Sequence, residues 1–552
     1  MKRKLLDDVR AWVEDDPDPE DRATLEELVR TGNEEELRRR FENPLTFGTA
    51  GLRGPVMAGP AGMNRLSVRR ATQGVVAWLR EGGAEGSGAI VVGRDARRGS
   101  EAFNDEVVAV LLGAGWPVLE MPGPLPTPLV AYAVRTLNAA AGIMITASHN
   151  PPLDNGYKLY GPGGAQIVAP DDETVQRYAR RATSPALGAR SNPLHRFVPP
   201  ALWAQYRDHM VKRFEVPGGS DLRISYTPLH GVGGASMMEL FECSGYRRVF
   251  AVIEQFVPDG AFPTLAFPNP EEPGALDLAL ANARVNGSTL VLANDPDGDR
   301  LGAAVAASGG WRVLRGDEIG WLLASHLLDS MTAPDDVVAT TIVSSTMLAK
   351  MAASRGVRCV TTLTGFKWLS RAADGATLRF SYEEALGFAV DPVVADKDGM
   401  SAALALCQLA HGLARRGQTL LDRLDDLERQ YGIHSGDQLA LRADGPEGRA
   451  AIARVMEQLR VTPPHELGGV RVSEVIDLAR GWRGLAPSEG VVLVLGDEGR
   501  VVVRPSGTEA KLKAYFEVTR PPEADSNLLE GRASARRQLQ VIRDDLAELV
   551  RL

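Results

Sequence analysis

Residues 89–119 read AIVVGRDARRGSEAFNDEVVAVLLGAGWPVL. Ala89–Val92 is a short apolar strand followed by a small polar loop. Ser100–Leu112 is helix-like, Gly115 ends it, and Pro117–Leu119 opens a second strand. Strand, helix, glycine, strand is a βαβ unit, and such units imply parallel sheets covered by helices. The pattern returns at Leu222–Tyr226, with a helix near Ala235–Phe241, then Gly245 and the strand Val249–Val252. It returns again at Val337–Ile342, with a helix at Thr346–Ser354, then Gly356 and the strand Val357–Thr361. Three copies predict three similar α/β domains.

The flanks differ. Residues 1–42 read as short polar helices with interleaved charges, broken by Pro17 and Pro19. Near the other end, Val491–Leu495 and Arg500–Val503 flank Gly496-Asp497-Glu498-Gly499, a hairpin signal. A strand-like run follows at Lys513–Val518. A helix over about 530–550 then carries Leu539, Ile542, Leu546 and Leu549 at helical spacing. The expected division is a helical lead-in (1–45), three α/β domains (46–200, 201–312 and 313–430) and a C-terminal α+β domain (431–552). The stretch Arg180–Pro200 reads as loop.

Composition bounds the function. The 552 residues fit three to four domains, and 44% apolar with 24% charged residues is ordinary for a globular protein. With 62 basic against 71 acidic residues the net charge is −9, which argues against a dedicated nucleic-acid binder. Cys243, Cys359 and Cys407 are too few and too dispersed for a disulfide framework or a metal knuckle, so a reducing, cytoplasmic setting is expected. Met1-Lys2-Arg3-Lys4 resembles a signal-peptide start, but Asp7 and Asp8 stand where an apolar core belongs. No apolar run approaches the roughly 20 residues of a membrane helix.

Four stretches carry chemistry. Thr146-Ala147-Ser148-His149-Asn150-Pro151-Pro152 follows the apolar run Ala139–Ile145. It therefore sits at the carboxyl end of a strand, where ligands of α/β sheets gather and a serine can act as nucleophile. A Ser–His–Asp hydrolase is disfavoured. Adjacent Ser148 and His149 would point apart if extended, and no G-x-S-x-G elbow surrounds this serine. Asn294-Asp295-Pro296-Asp297-Gly298-Asp299-Arg300 follows the strand Thr289–Ala293. Asp295, Asp297 and Asp299 can converge on one hard cation such as Mg²⁺. An EF-hand is excluded because its sixth position is Arg300 and its twelfth Ala306.

Arg504-Pro505-Ser506-Gly507-Thr508-Glu509 offers a guanidinium fork, hydroxyls and a glycine, the makings of a phosphate cradle. Glu383 and Glu384 of Tyr382-Glu383-Glu384-Ala385-Leu386-Gly387 suit sugar hydroxyls, and Lys397 either adds a cation or is ion-paired. Gly231-Val232-Gly233-Gly234 starts like a dinucleotide loop, but its sixth position is Ser236, and no Gly-Lys of a P-loop occurs. Together these motifs predict four domains around a central cleft that holds one phosphorylated polyol.

Phe47–Gly54, Thr146–Pro152, Asn155–Lys158, Asp295–Arg300, Glu383–Gly387 and Arg504–Glu509, in this order, resemble the α-D-phosphohexomutase superfamily, the phosphoglucomutases and phosphomannomutases. The resemblance runs from Thr46 to the C-terminal domain. It implies three related α/β domains, a C-terminal domain and an isomerase that shuttles phosphoryl through Ser148 and a sugar bisphosphate, which also serves as activator. One Mg²⁺ would join Ser148 to Asp295, Asp297 and Asp299, with Arg53, Lys158 and Arg300 lining that site. Lys158, acidified by neighbouring cations, is the preferred proton-transfer residue and His149 a second candidate. Glu383, Glu384 and Lys397 would meet the sugar, and Arg504, Ser506, Gly507 and Thr508 its non-reacting phosphate. Many hexose-specific members carry serine two residues after the loop Glu, where this chain has Ala385. That difference, with Thr364–Trp368 and the N-terminal extension, resembles the phosphopentomutase-like branch. Glucose and mannose phosphates are the leading substrates, and phosphopentomutase or glucose-1,6-bisphosphate synthase the alternatives. The partner is a phosphorylated sugar, not nucleic acid or membrane, and the chain is expected as monomer or homodimer.

Overall fold

The computed structural model describes residues 3–48, 51–84, 86, 88–442, 445–506, 511–521 and 528–550. It divides into two compact units, residues 1–314 with 386–411, and residues 315–385 with 412–552.

The first unit begins with three helices, Arg3–Asp15, Pro19–Thr31 and Glu34–Phe41. Their charged surfaces conceal an apolar seam. Val9, Trp12, Leu25 and Leu37 are buried together with Ala58 and Leu66 of the following segment. Pro19 does not merely break a helix; it opens one, behind the Asp18 cap.

The first sheet contains β1 (Leu52–Pro55), β2 (Ile90–Arg94), β3 (Val118–Pro124), β4 (Ala141–Ile145), β5 (Asp154–Tyr160) and β6 (His195–Phe197), in the order β1-β5-β4-β2-β3-β6. β2 pairs in parallel with β3 and β4, and β5 runs antiparallel to both β4 and β1. The second sheet holds β7 (Ile224–Thr227), β8 (Val249–Ala251), β9 (Leu290–Asn294), β10 (Leu301–Ala307) and β11 (Gly310–Val313), in the order β11-β10-β9-β7-β8. Here β7 is the parallel centre between β8 and β9, and β10 returns antiparallel on β9. In the second unit β12 (Asp336–Thr341) lies parallel between β13 (Arg358–Thr362) and β14 (Thr377–Glu383).

The repeat is thus real at the level of pairing. In each α/β domain the first strand of the βαβ unit, β2, β7 or β12, lies between its βα partner and a third strand, β4, β9 or β14. β4, β9 and β12 are buried along their whole length, as strands covered on both faces must be. The intervening helices, Ser100–Gly113, Gly234–Cys243 and Met347–Ala353, fall where their apolar residues place them.

β15 (Gly387–Ala389) and the helix Gly399–Ala414 come next in the chain. The C-terminal domain is antiparallel. β16 (Ile433–Arg442), the small hairpin of β17 (Glu466–Leu467) and β18 (Val470–Arg471), β19 (Glu474–Asp477), β20 (Val491–Val494), β21 (Gly499–Pro505) and β22 (Lys511–Arg520) contribute its strands. The main sheet runs β16-β22-β21-β20-β19. The last helix, Leu528–Leu549, buries Leu539, Ile542 and Leu546, but its end faces solvent at Leu549, and Val550 is buried instead. One expectation is corrected: Arg180–Pro200 is not all loop, since β6 within it extends the first sheet beside β3. The N-terminal helices form as expected and also own a core. Among the described residues, no helix is long and apolar enough to cross a membrane.

Candidate active site

Ser148 follows β4 by three residues, and Asp295 follows β9 directly. The two loops leave equivalent strands of the two domains in the first unit, and they meet. Ser148 is fully buried, and its hydroxyl donates to Asp295 Oδ2 at 2.6 Å. Its backbone is left-handed, φ +52°, an uncommon conformation for a residue with a Cβ. That turn corrects the expectation that Ser148 and His149 point apart: His149 Nδ1 lies 3.2 Å from Ser148 Oγ. Ser148 contacts the carboxylate directly rather than through the imidazole, so no relay is formed. Burial, aided by the charges of Arg300 and Arg53, holds His149 well below the usual histidine range, so the ring is neutral.

The three aspartates are fully buried and their carboxylates cluster within 4.8 Å. Gly298 sits at φ +70°, where a Cβ would press on Pro126 at 3.1 Å. Asp295 Oδ1 accepts the Arg300 amide at 2.9 Å. Asp297 Oδ2 accepts the Thr127 hydroxyl at 2.6 Å and the Lys158 ammonium at 2.7 Å. Asp299 Oδ2 takes Lys158 at 2.5 Å and Lys397 at 3.0 Å. Burial and the charges of Asp297 and Asp299 push the Asp295 carboxyl well above the usual range. Burial also works against ionisation of Asp297, but the Lys158 charge and the donated hydrogen bonds hold it well below.

Asp297 Oδ1 and Asp299 Oδ1 are buried with no hydrogen-bond partner. Two orphaned carboxylate oxygens beside a third acid are costly unless a cation takes them. An all-oxygen donor set with room for a phosphate oxygen fits a hard divalent ion, so the triad could hold a metal.

Lys158, on β5, is fully buried. Its direct partners are carboxylates, and the Lys397 ammonium shares Asp299 Oδ2 with it. Of the two roles left open for Lys397, the ion pair is present, at 3.0 Å to Asp299 and 3.8 Å to Asp396. Arg53, on β1 opposite Gly156, donates to Asn150 Oδ1 at 3.3 Å and so reaches the serine loop. Arg300 Nε lies 3.9 Å from Asp299.

Three contributors were missed from sequence. Thr127 heads a helix 170 residues before Asp297, and nothing local links them. Arg97 grips the serine loop from the β2 side. The glycine run at 231–234 is a brace: the Val232 amide donates to the Pro296 carbonyl at 2.8 Å, and a Cβ on Gly231 would stand 2.4 Å from Pro296. The close backbone approach that the glycines suggested is made to the aspartate loop.

In the second unit, Glu383 closes β14 and is buried. Its position matches those from which the serine and aspartate loops leave the first two domains. Glu384 accepts from Ser344 Oγ at 2.9 Å. Burial first, then the charges of Glu383 and Asp317, push its carboxyl up to about 7. Its folded pKa therefore lies above its unfolded one. As pH rises from about 4.5 to 7 the unfolded chain loses this proton first, so stability falls across that window. Glu384→Gln should flatten this part of the melting-temperature profile; an unchanged slope in calorimetric scans would contradict it.

Arg504 lies on β21 directly opposite Lys513 on β22. The Ser506 amide donates to the Lys511 carbonyl at 2.8 Å. Gly507 and Thr508 lie outside the described residues.

Family models match in chain order: phosphoglucomutase/phosphomannomutase alpha/beta/alpha domain I at residues 44–186, domain II at 204–309, domain III at 315–431 and the C-terminal domain at 450–533. The chain belongs to the phosphoglucomutase/phosphomannomutase family, and it is a mutase-type isomerase. A Haemophilus influenzae protein named "Probable phosphomannomutase" is 36% identical over 483 residues, covering 85% of this chain and 96% of that one. The Mus musculus phosphopentomutase is 33% identical, covering 95% and 91%. The Homo sapiens glucose 1,6-bisphosphate synthase is 33% identical, covering 94% and 91%.

Proposed function

We propose that the protein interconverts the 1-phosphate and 6-phosphate forms of an aldohexose, glucose or mannose, through phosphorylated Ser148 and a sugar bisphosphate that also primes it. The observation that carries this reading is the 2.6 Å contact of Ser148 with Asp295, inside a carboxylate cluster that has two orphaned oxygens. Mg²⁺, one per chain, held by Asp295, Asp297, Asp299 and the phosphorylated serine, would supply positive charge against the transferring phosphoryl group.

The chain's own groups do the rest. Asp295 accepts the hydrogen bond of the Ser148 hydroxyl in the unphosphorylated state and fixes the direction of Oγ. His149, held neutral, orients Oγ without carrying a charge. Lys158, between Asp297 and Asp299, is assigned as the proton-transfer residue. Arg53 and Arg300 add positive charge where the phosphoryl oxygens lie. In each half-reaction a P–O bond to Ser148 and a P–O bond to a sugar oxygen exchange, and the hydroxyl proton moves the opposite way. Glu383, Glu384 and Lys397 are assigned to the sugar, and Arg504, Ser506, Gly507 and Thr508 to the spectator phosphate. Arg504→Ala should raise KM roughly 10- to 100-fold, the loss of one charge-assisted contact. Unchanged KM and kcat would refute the cradle.

A second reading, a phosphopentomutase, is favoured by Ala385 in the sugar loop and by the phosphopentomutase relative. A site that lacks one hydroxyl changes its discrimination among sugars. Comparing kcat/KM for glucose 1-phosphate, mannose 1-phosphate and ribose 1-phosphate decides. A clear preference for the pentose overturns the hexose assignment, and bisphosphate release as the main product would indicate a synthase. The five segments bounded at 45, 200, 312 and 430, a cytoplasmic location and a monomeric or homodimeric state complete the proposal.

A further inference from the structure

We infer that Arg97 is the positioning residue of the Ser148 loop, and that it sets the register between the serine and the aspartate cluster. This rests on Ser148 being the phosphoryl carrier. The Arg97 side chain is 1% exposed. Its Nη2 donates to the carbonyls of Ser148 at 2.5 Å and Asn150 at 2.7 Å. Its Nη1 donates to those of Pro151 at 2.9 Å and Asp154 at 3.1 Å. One guanidinium thus gathers three carbonyls of the serine loop and that of Asp154, the first residue of β5. Those carbonyls point inward on the cation, and the left-handed turn at Ser148 is held where the free chain would seldom place it.

The guanidinium is itself fixed. Asp95 Oδ2 lies 3.5 Å from Arg97 Nε, and Asp95 Oδ1 accepts the Arg97 amide at 3.0 Å and the Ser100 hydroxyl at 2.6 Å. Asn155 Nδ2 donates to that hydroxyl at 3.0 Å.

The other face of Arg97 reaches the second domain. The Phe262 ring stacks 4.9 Å from the guanidinium, and Arg97 bridges Gly260 through the backbone. The same segment continues to the aspartate loop: the Asp259 amide donates to the His230 carbonyl at 2.9 Å, and Val232 donates to Pro296. One continuous path therefore runs from the Ser148 carbonyl through Arg97, residues 259–262 and the glycine run to the residue between Asp295 and Asp297. Lysine cannot replace this. It has three donors on one point, against the planar five-donor fork of arginine.

The test uses the full-length enzyme and glucose 1,6-bisphosphate as phosphoryl donor, with single-turnover phosphorylation of Ser148 followed by mass spectrometry. Arg97→Lys should slow this transfer and lower kcat by about 10²-fold, the cost of misplacing a reacting atom by about 1 Å. KM for the sugar phosphate should be unchanged, because the spectator phosphate is held elsewhere. Gly260→Ala is the independent variant. Its Cβ would stand 2.6 Å from the Ala96 carbonyl, disturbing the tether while keeping the charge. It should show the same fall in kcat at constant KM.

Parental transfer rates in folded Arg97→Lys overturn the inference. So does a parallel change of KM and kcat with a collapsed melting temperature in both variants, which marks a purely structural role. If the parent enzyme takes up no phosphate on Ser148, the mutase reading falls first, and with it this one; the parent lane separates the two failures.

Discussion

Ser148→Ala should lose about 10⁴-fold or more in turnover, the scale seen when a covalent nucleophile is removed. After incubation with a sugar bisphosphate it should carry no phosphate. The expectation follows from the geometry, because Ser148 Oγ is the hydroxyl that touches Asp295, at 2.6 Å, within the acid cluster. The substitution removes one oxygen and leaves the left-handed backbone as strained as before, so the fold should survive with a melting temperature near that of the parent. A coupled assay and an intact-mass spectrum check both halves. Turnover within tenfold of the parent, or phosphate appearing on another residue, would remove Ser148 from the mechanism.

Asp297→Asn should lose roughly 10³-fold in activity, the order of losing one preorganised charge contact. It should also weaken divalent-ion binding measured directly by calorimetry. Asn preserves shape and can still accept from Thr127, so the loop should hold its conformation. What changes is charge. Lys158 is left with Asp299 as its carboxylate, and one of the two orphaned oxygens that call for a cation becomes a neutral amide atom. Full activity in the presence of a chelator, in parent or variant, would refute the metal assignment. Unaltered ion affinity in the variant would refute the role of Asp297 in it.

The fold was largely legible because its signals are local. Each βαβ unit joins an apolar strand to a helix and a glycine within some thirty residues, and the strands of all three copies fall within a few residues of their expected places. The core of the helical lead-in was not legible because its apolar residues are sparse and reach their partners, Ala58 and Leu66, only in three dimensions. β6 is three residues of His-Arg-Phe, too short and too polar to announce itself.

The site divides the same way. Ser148 and the three aspartates stand in compact motifs at strand ends, so residue type and spacing were enough to expect them together. Thr127, Arg97 and the brace at Gly231 act across 170, 51 and 65 residues of chain, through a hydroxyl, a fork and a backbone amide that any sequence contains in plenty. The contacts of Lys158 were not legible for a related reason. Counting cations in motifs says nothing of which oxygen each will touch, and the two lysines share one oxygen of Asp299.

The first unit is not continuous in the chain, and this bears on its birth at the ribosome. Residues 1–314 emerge first, but Leu301 donates its amide to the Leu386 carbonyl, Lys397 pairs with Asp299, and Gly399 packs on the Arg300 carbonyl. Domains generally fold as they leave the tunnel, N-terminal first. Here the aspartate loop must wait for some hundred further residues before its last partners arrive. Until then the nascent chain holds its serine and its three acids without the second lysine that pairs with Asp299, so the aspartate loop gains its full set of partners late in translation.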